Sequence, residues 1–269
     1  MPKPLIQWVL ICFALAGCLS SVLALDITLK KANWGKVSNH EIQKVLESTA
    51  MQLLPHSPIL RRSKIEVSRT QSSPIVLHER GTGGAYQVKL NTGERFWTQY
   101  AFQFSHELGH IICGYKKGEN GNQWFEECIC EVASLYSLNN ITKEWSRKPP
   151  FPNWKSYAKE FSKYAEARIR DAKMPKSFSL SSWWRENREV LSKNPSMRRQ
   201  NLWVAVKLLP LFQSDPTLAW STCNWLNQKK TNKARSFRRS LQDWKDSCPS
   251  PKEKQFVKEV AKLFGIHMN

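Results

Sequence analysis

The stretch Phe104-Ser-His-Glu-Leu-Gly-His-Ile111 sets two imidazoles four residues apart, with a carboxylate directly after the first. On an α-helix, positions four apart lie one turn above each other, so His106 and His110 can reach a single metal ion. Glu107 then projects to the side where an activated water would sit. The flanks are apolar: from Phe96 through Tyr115 Glu107 is the only acid, no lysine or arginine occurs, and there is no proline. That pattern predicts a buried helix from about Trp97 to Cys113, stopped by Gly114. Two histidines on such a face can also be a hydrogen-bonded core pair. Glu107 separates the two readings, because an unpaired carboxylate in an apolar setting is costly.

A metal site that works on a substrate needs a third protein ligand and an open position for water. A third histidine in the spacing His-x-x-Gly-x-x-His is excluded, because Cys113 stands at the glycine position and Lys116 at the histidine position. The remaining route is a carboxylate from the next helix, and the segment from Asn122 to Tyr136 offers Glu126, Glu127 and Glu131. The connection before it is short, polar and glycine-bearing, so the second helix should run back antiparallel to the first. With Glu127 opposite His110, Glu131 falls one turn further along, opposite His106. There it could accept the second ring N–H of that histidine. Glu126 would point about a quarter-turn away. This register makes Glu127 the ligand and Glu131 its outer partner, with the exchange of their roles as the alternative.

His106-Glu-Leu-Gly-His110 followed by Trp124-Phe-Glu-Glu127 resembles the gluzincin metallopeptidases. The resemblance implies a zincin-like α+β fold, one zinc ion on His106, His110 and Glu127, and Glu107 as the catalytic base. It covers about thirty-five residues. Glu131 stands where the family's Glu-x-x-x-Asp has aspartate, Cys128 stands where aminopeptidase members have glycine, and no Gly-x-Met-Glu-Asn sequence occurs upstream.

The ends of the chain suggest where such a protein would work. Residues 1–24 read as an export signal, with Lys3 before an apolar run from Leu5 to Leu19 and small residues after it. Leu15-Ala-Gly-Cys18 resembles a lipobox, in which Cys18 would be lipidated. Val22-Leu-Ala24 equally fits ordinary cleavage before Leu25. Either route leads outside the cytoplasm, as a secreted, periplasmic or lipid-anchored protein. Lysine and arginine number 41 against 22 acids, a net charge of +19. Such an excess favours anionic partners such as an envelope surface or acidic substrates, while nucleic acid is not expected without a recognition motif. The basic run Lys229–Arg239 reads as a solvated face.

The remaining 25–147 reads as an N-terminal lobe with the metal site, and 148–269 as a helical C-terminal lobe. In the first, Ser38–Leu54 has a helical pattern with Ser38 as N-cap. Ile65–Val67, Ile75–Leu77 and Tyr86–Leu90 read as strands of a small antiparallel or mixed sheet. Gly81–Gly84 reads as a hairpin turn rather than a phosphate loop. Tyr86–Leu90, directly before the histidine helix, is expected at the sheet edge, where an extended substrate could add as a strand. In the second lobe Trp154–Arg170, Leu180–Leu191, Asn201–Phe212, Thr217–Leu226 and Lys252–Phe264 are amphipathic, and Tyr157, Tyr164 and Arg168 are candidate donors to a developing oxyanion. His40, His56, His78 and His267 read as ordinary residues. Cys223 and Cys248 could form a disulfide in an oxidising compartment, whereas Cys113, Cys128 and Cys130 read as small apolar core residues. The function expected is an exported zinc metallopeptidase; the alternative is an envelope-associated binding protein of zincin-like fold without significant turnover.

Overall fold

The computed structural model describes residues 25–118 and 121–268. The expected export segment and Cys18 lie outside them. The chain begins with β1 (Asp26–Leu29), a strand too short for alternation to register in the sequence. Helix α1 (Asn39–Met51) starts where Ser38 predicts: its hydroxyl accepts from the Glu41 N–H at 3.1 Å, and the Glu41 carboxylate accepts from the Ser38 N–H at 3.0 Å. This reciprocal box satisfies donors that the helix itself cannot. Strands β2 (Lys64–Arg69), β3 (Ile75–Arg80) and β4 (Tyr86–Leu90) follow.

The sheet is mixed, in the order β1-β2-β4-β3, with β1, β2 and β4 parallel and β3 antiparallel to β4. The strand expected at the edge is therefore internal: β4 lies between β2 and β3, and β3 holds the edge. The cause is the glycine turn. Gly83 and Gly84 adopt φ values of 63° and 79°, and the Gly81 N–H bonds the Ala85 carbonyl at 2.8 Å, folding β3 back along β4. Left-handed backbone of this kind carries no Cβ penalty in glycine.

Helix α2 (Trp97–Ile112) carries the two histidines and ends at Cys113, with Gly114 in the left-handed conformation at φ 70°. Helix α3 (Gln123–Arg147) runs back along it and is much longer than the sequence pattern suggests. A Cβ on Gly109 would sit 2.9 Å from the Cα of Cys130, so glycine at this point lets the two backbones approach closely. The C-terminal half is helical: α4 (Ala158–Asp171), α5 (Leu180–Lys193), α6 (Arg198–Ser214), α7 (Pro216–Cys223), α8 (Phe237–Ser247) and α9 (Pro251–Leu263). Helices α4 and α6 pack on α3, which thus has α2 on one side and the C-terminal helices on the others. One hydrophobic core runs through both halves, from Ile27 to Ile266. The architecture is α+β. Among the described residues no helix is long and apolar enough to cross a membrane.

Two expectations about the C-terminal half are corrected. Cys223 and Cys248 are both buried free thiols and form no disulfide. Cys223 instead pairs with the Cys113 thiol, and Cys248 donates to the Trp244 carbonyl at 3.2 Å. The basic run is not simply a solvated face, because Lys230 is buried against Glu126 at 2.9 Å, and Arg235 and Arg239 both reach Asp243. Its last residues open α8, a helix hidden in the sequence by its charged face.

Candidate metal centre and cleft

The antiparallel crossing of α2 and α3 brings His106, His110, Glu126, Glu127 and Glu131 together. The Nε2 atom of His106 lies 3.2 Å from Oε2 of Glu127, and the Nε2 atom of His110 lies 3.5 Å from Oε1 of the same carboxylate. Each imidazole faces a different oxygen. Zinc bonds of about 2.0–2.1 Å set neighbouring donors of a tetrahedron about 3.3 Å apart, whereas charge-assisted hydrogen bonds close to about 2.7–2.9 Å. The His106 contact is a hydrogen bond and the His110 contact an ion-pair distance, and both also lie close to the donor spacing of a metal site.

The other ring nitrogens meet the other acids. His110 Nδ1 is 2.8 Å from Glu126 Oε1, a true hydrogen bond. The second oxygen of Glu126 accepts from Asn227 Nδ2 and Lys230 Nζ, each at 2.9 Å. His106 Nδ1 is 3.9 Å from Glu131 Oε1, beyond hydrogen-bond range, and Glu131 Oε2 is buried without a partner. The quarter-turn that set Glu126 aside in the sequence reading is misleading. Because the helices approach closely at Gly109, two adjacent rows of α3 reach α2, and Glu126 and Glu127 meet His110 from its two ring nitrogens.

The electrostatics follow. Burial opposes an imidazolium at His106, yet Glu127, Glu131 and Glu107 outweigh it and raise its pKa. At His110 burial is again overcome, by the hydrogen bond and charge of Glu126 and by the charges of Glu127 and Glu107, and its pKa rises to about 9. Glu126 moves the opposite way: His110 and Lys230 overcome its burial and hold it at about 2. Burial likewise raises Glu131. Glu107, 3% exposed, is raised by burial against the pull of both histidines, while the Val76 backbone N–H favours its charged form. That contact ties Glu107 to the edge strand β3.

A second third-ligand candidate is present. The thiol of Cys130 and nitrogens of His106 and His110 lie within 4.8 Å of one another. Cys130 is fully buried behind Gly109, and burial together with the surrounding glutamates pushes its pKa well above 9. A thiol must ionise to ligate, and here four carboxylates oppose that. Glu127 is already anionic, its pKa lowered by His106 and His110 in spite of burial.

The histidines lie in a cleft of about 1700 Å³. Its walls include Pro74, Ile75 and Val76, from β3 and the turn before it, and Tyr164 and Arg168 one turn apart on α4. Tyr157 is elsewhere, hydrogen-bonded to Thr98. His78, read from sequence as ordinary, lines the cleft and stacks on Tyr115 at 4.2 Å; the Tyr115 ring in turn lies 5.5 Å from that of His110. Sequence reasoning missed His78, Tyr115, Asn227 and Lys230. Only the Glu-Glu doublet hinted at a second outer partner. Comparison of the chain with protein families, curated proteins and solved structures finds no match.

Proposed function

We propose that this chain is a zinc-dependent peptidase of zincin-like fold, exported from the cytoplasm, with His106, His110 and Glu127 holding the metal and Glu107 acting as general base. The observation that carries the reading is the placement of one carboxylate, Glu127, at 3.2 and 3.5 Å from the two Nε2 atoms, with Glu107 buried beside them. Two imidazoles, neutral once zinc displaces their protons, with a carboxylate and an open cleft suit zinc. Zinc held there would act as a Lewis acid and bring the pKa of a water from about 15.7 toward about 7.

The residues of the chain supply the rest. Glu107 takes the proton of the attacking water and later returns it to the leaving amine. Its burial raises its pKa and so makes it a better base near neutral pH. The outer side of β3 offers unpaired main-chain groups along the cleft, to which a peptide can add as a further strand. Ile75, 43% exposed on that strand, gives a first apolar contact. On the opposite wall the Tyr164 hydroxyl is the donor available to a developing oxyanion.

The test is Glu107→Gln. The amide is nearly isosteric and Glu107 is no ligand, so folding and zinc content should stay near wild type, while peptide cleavage should fall by about 10²–10⁴-fold, or about 3–5 kcal/mol of barrier. Wild-type cleavage should also stop on chelation and return with zinc. If wild type binds zinc but cleaves no member of a broad peptide library, or if Glu107→Gln cleaves as fast, the binding-protein reading replaces this one.

A further inference from the structure

Away from the histidines the cleft carries charge of one sign. The acids that line it are Glu107, Glu126, Glu127 and Glu131, all part of the metal centre. The other charged groups on its walls are Lys116, Lys117, Arg168, Lys193, Arg198 and Lys230. Of these only Lys230 makes an ion pair among the described residues. Lys116 and Lys117 stand after α2, on the opposite side of the histidines in sequence from Arg168 on α4 and from Lys193 and Arg198 at the ends of α5 and α6. A chain of net charge +19 adds a long-range field of the same sign.

Arg168 differs from the lysines. Its guanidinium carbon lies 4.7 Å from the centroid of the Phe102 ring, a cation–π contact that helps to hold the group in place. Its Nε is buried and has no hydrogen-bond acceptor. A buried donor without an acceptor is costly, and a carboxylate is the group that satisfies an arginine fork best.

We infer that the cleft is built for acidic polypeptide, with Arg168 receiving a substrate carboxylate on the α4 side of the scissile bond and the lysines and Arg198 attracting further acids. The inference rests on the peptidase reading for its substrate being a peptide. The carboxylate could come from a side chain or from the free C-terminus, and both present the same planar pair of oxygens.

The test uses the zinc-loaded full chain and matched fluorogenic decapeptides with Glu, Gln or Lys flanking the cleavage point, each with a free or amidated C-terminus. Binding of a labelled Glu peptide to Glu107→Gln is followed by anisotropy, so that recognition is read without turnover. Glu peptides should exceed Gln peptides in kcat/KM by about 10–100-fold, the usual weight of a charge-assisted pair, and Arg168→Gln should bring that ratio close to one. Arg168→Lys should restore only part of the ratio, since a point charge lacks the fork. Arg198→Gln, on an exposed residue, should reduce it less and serves if Arg168→Gln does not fold. Loss of the preference on amidation alone assigns the carboxylate to the C-terminus; persistence assigns it to side chains. Equal cleavage of Glu and Gln peptides overturns the inference and leaves the peptidase reading standing. No cleavage, with Arg168-dependent binding of the Glu peptide, does the reverse. Tighter Arg168-dependent binding of a sulfated polysaccharide than of the Glu peptide overturns the peptide assignment in favour of an anionic glycan.

Discussion

The two histidines share one helix and one carboxylate, but their outer support differs sharply. His110 is held by Glu126, whose oxygens are all taken: one by the imidazole at 2.8 Å, the other by Asn227 and Lys230 at 2.9 Å. His106 faces Glu131 at 3.9 Å, and that carboxylate keeps a buried oxygen without a partner. A closed network fixes the tautomer and orientation of the ring it holds, while a half-satisfied one leaves its ring adjustable. The His110 side also ties the C-terminal segment at Asn227 and Lys230 to the site. The His106 side looks toward α4 and the open cleft. On the zinc reading, one side would anchor the metal, and the other would have room to respond to it and to a substrate.

The largest effect should come from the carboxylate the two sides share. Glu127→Ala removes the group facing both Nε2 atoms, and zinc affinity should fall by more than the about 10–100-fold typical of outer partners. Competition with a chromophoric chelator measures it. A loss no greater than that range would place the third ligand elsewhere.

Next comes the anchor. Glu126→Ala strands Lys230, 7% exposed, without its counter-charge. Removing one partner of a buried ion pair costs about 3–5 kcal/mol, so chemical denaturation of the variant should show a loss of that order, together with about 10–100-fold weaker zinc. Protons report the same contact. Without a metal, His110 has its pKa raised to about 9, while Glu126 is lowered to about 2. The contribution of His110 to stability is therefore complete below its unfolded value of 6.5 and is lost as pH rises toward 9, and that of Glu126 is complete above 4.5 and is lost as pH falls toward 2. Zinc needs the neutral ring, so binding at pH 7.5 should release about one proton from His110. Calorimetry in buffers of different ionisation enthalpy should show this release, and Glu126→Gln should reduce it. An unchanged release would mean that Glu126 does not set the protonation of His110.

What could be read from the sequence and what could not divide along the same line. The histidine helix announces itself by an apolar run without proline and by the glycine that ends it, and α1 by its capping box; these signals lie within one or two turns. Glu127 follows from one further step, the antiparallel return of α3. Glu126 was set aside because a helical-wheel angle says nothing of how closely two helices approach, and that is decided by Gly109 against Cys130. Lys230 and Asn227 reach the site from more than 100 positions away, and nothing local marks them. The edge strand was misplaced for a related reason: Ile75–Leu77 and Tyr86–Leu90 were both visible, but strand order belongs to the whole sheet. Among the thiols, Cys113 and Cys223 meet only because α7 folds against the end of α2.

Glu131 should matter less than Glu126. It makes no hydrogen bond to His106 and only a long 3.9 Å ion pair with that ring when it is protonated, so Glu131→Gln should weaken zinc by less than about tenfold, below the usual range for a bonded outer partner. Thermal stability should stay level or rise, since burial raises the pKa of this carboxylate and the amide removes a buried charge. The same chelator competition decides. A larger loss than for Glu126→Gln would reverse the assignment of anchor and adjustable side, and a complete loss would make Glu131 the ligand.

The smallest effect is expected at Cys130, where the alternative donor set is tested. If the thiol were the third ligand, Cys130→Ala would empty the site as completely as Glu127→Ala. If it is a packing group wedged behind Gly109, the variant loses a buried sulfur and gains a small cavity, worth about 1 kcal/mol or somewhat more, with zinc affinity changed by less than about twofold. The physical reason to expect the second outcome is charge. Burial and the surrounding glutamates press the thiol toward its neutral form, while the histidines hold Glu127 ionised. Cobalt substitution adds a readout independent of affinity, because thiolate ligation gives an intense near-ultraviolet charge-transfer band and a nitrogen-and-oxygen site does not. A band that is present in wild type and absent in Cys130→Ala would move the third ligand from Glu127 to Cys130, and with it the boundary between the anchored and adjustable sides.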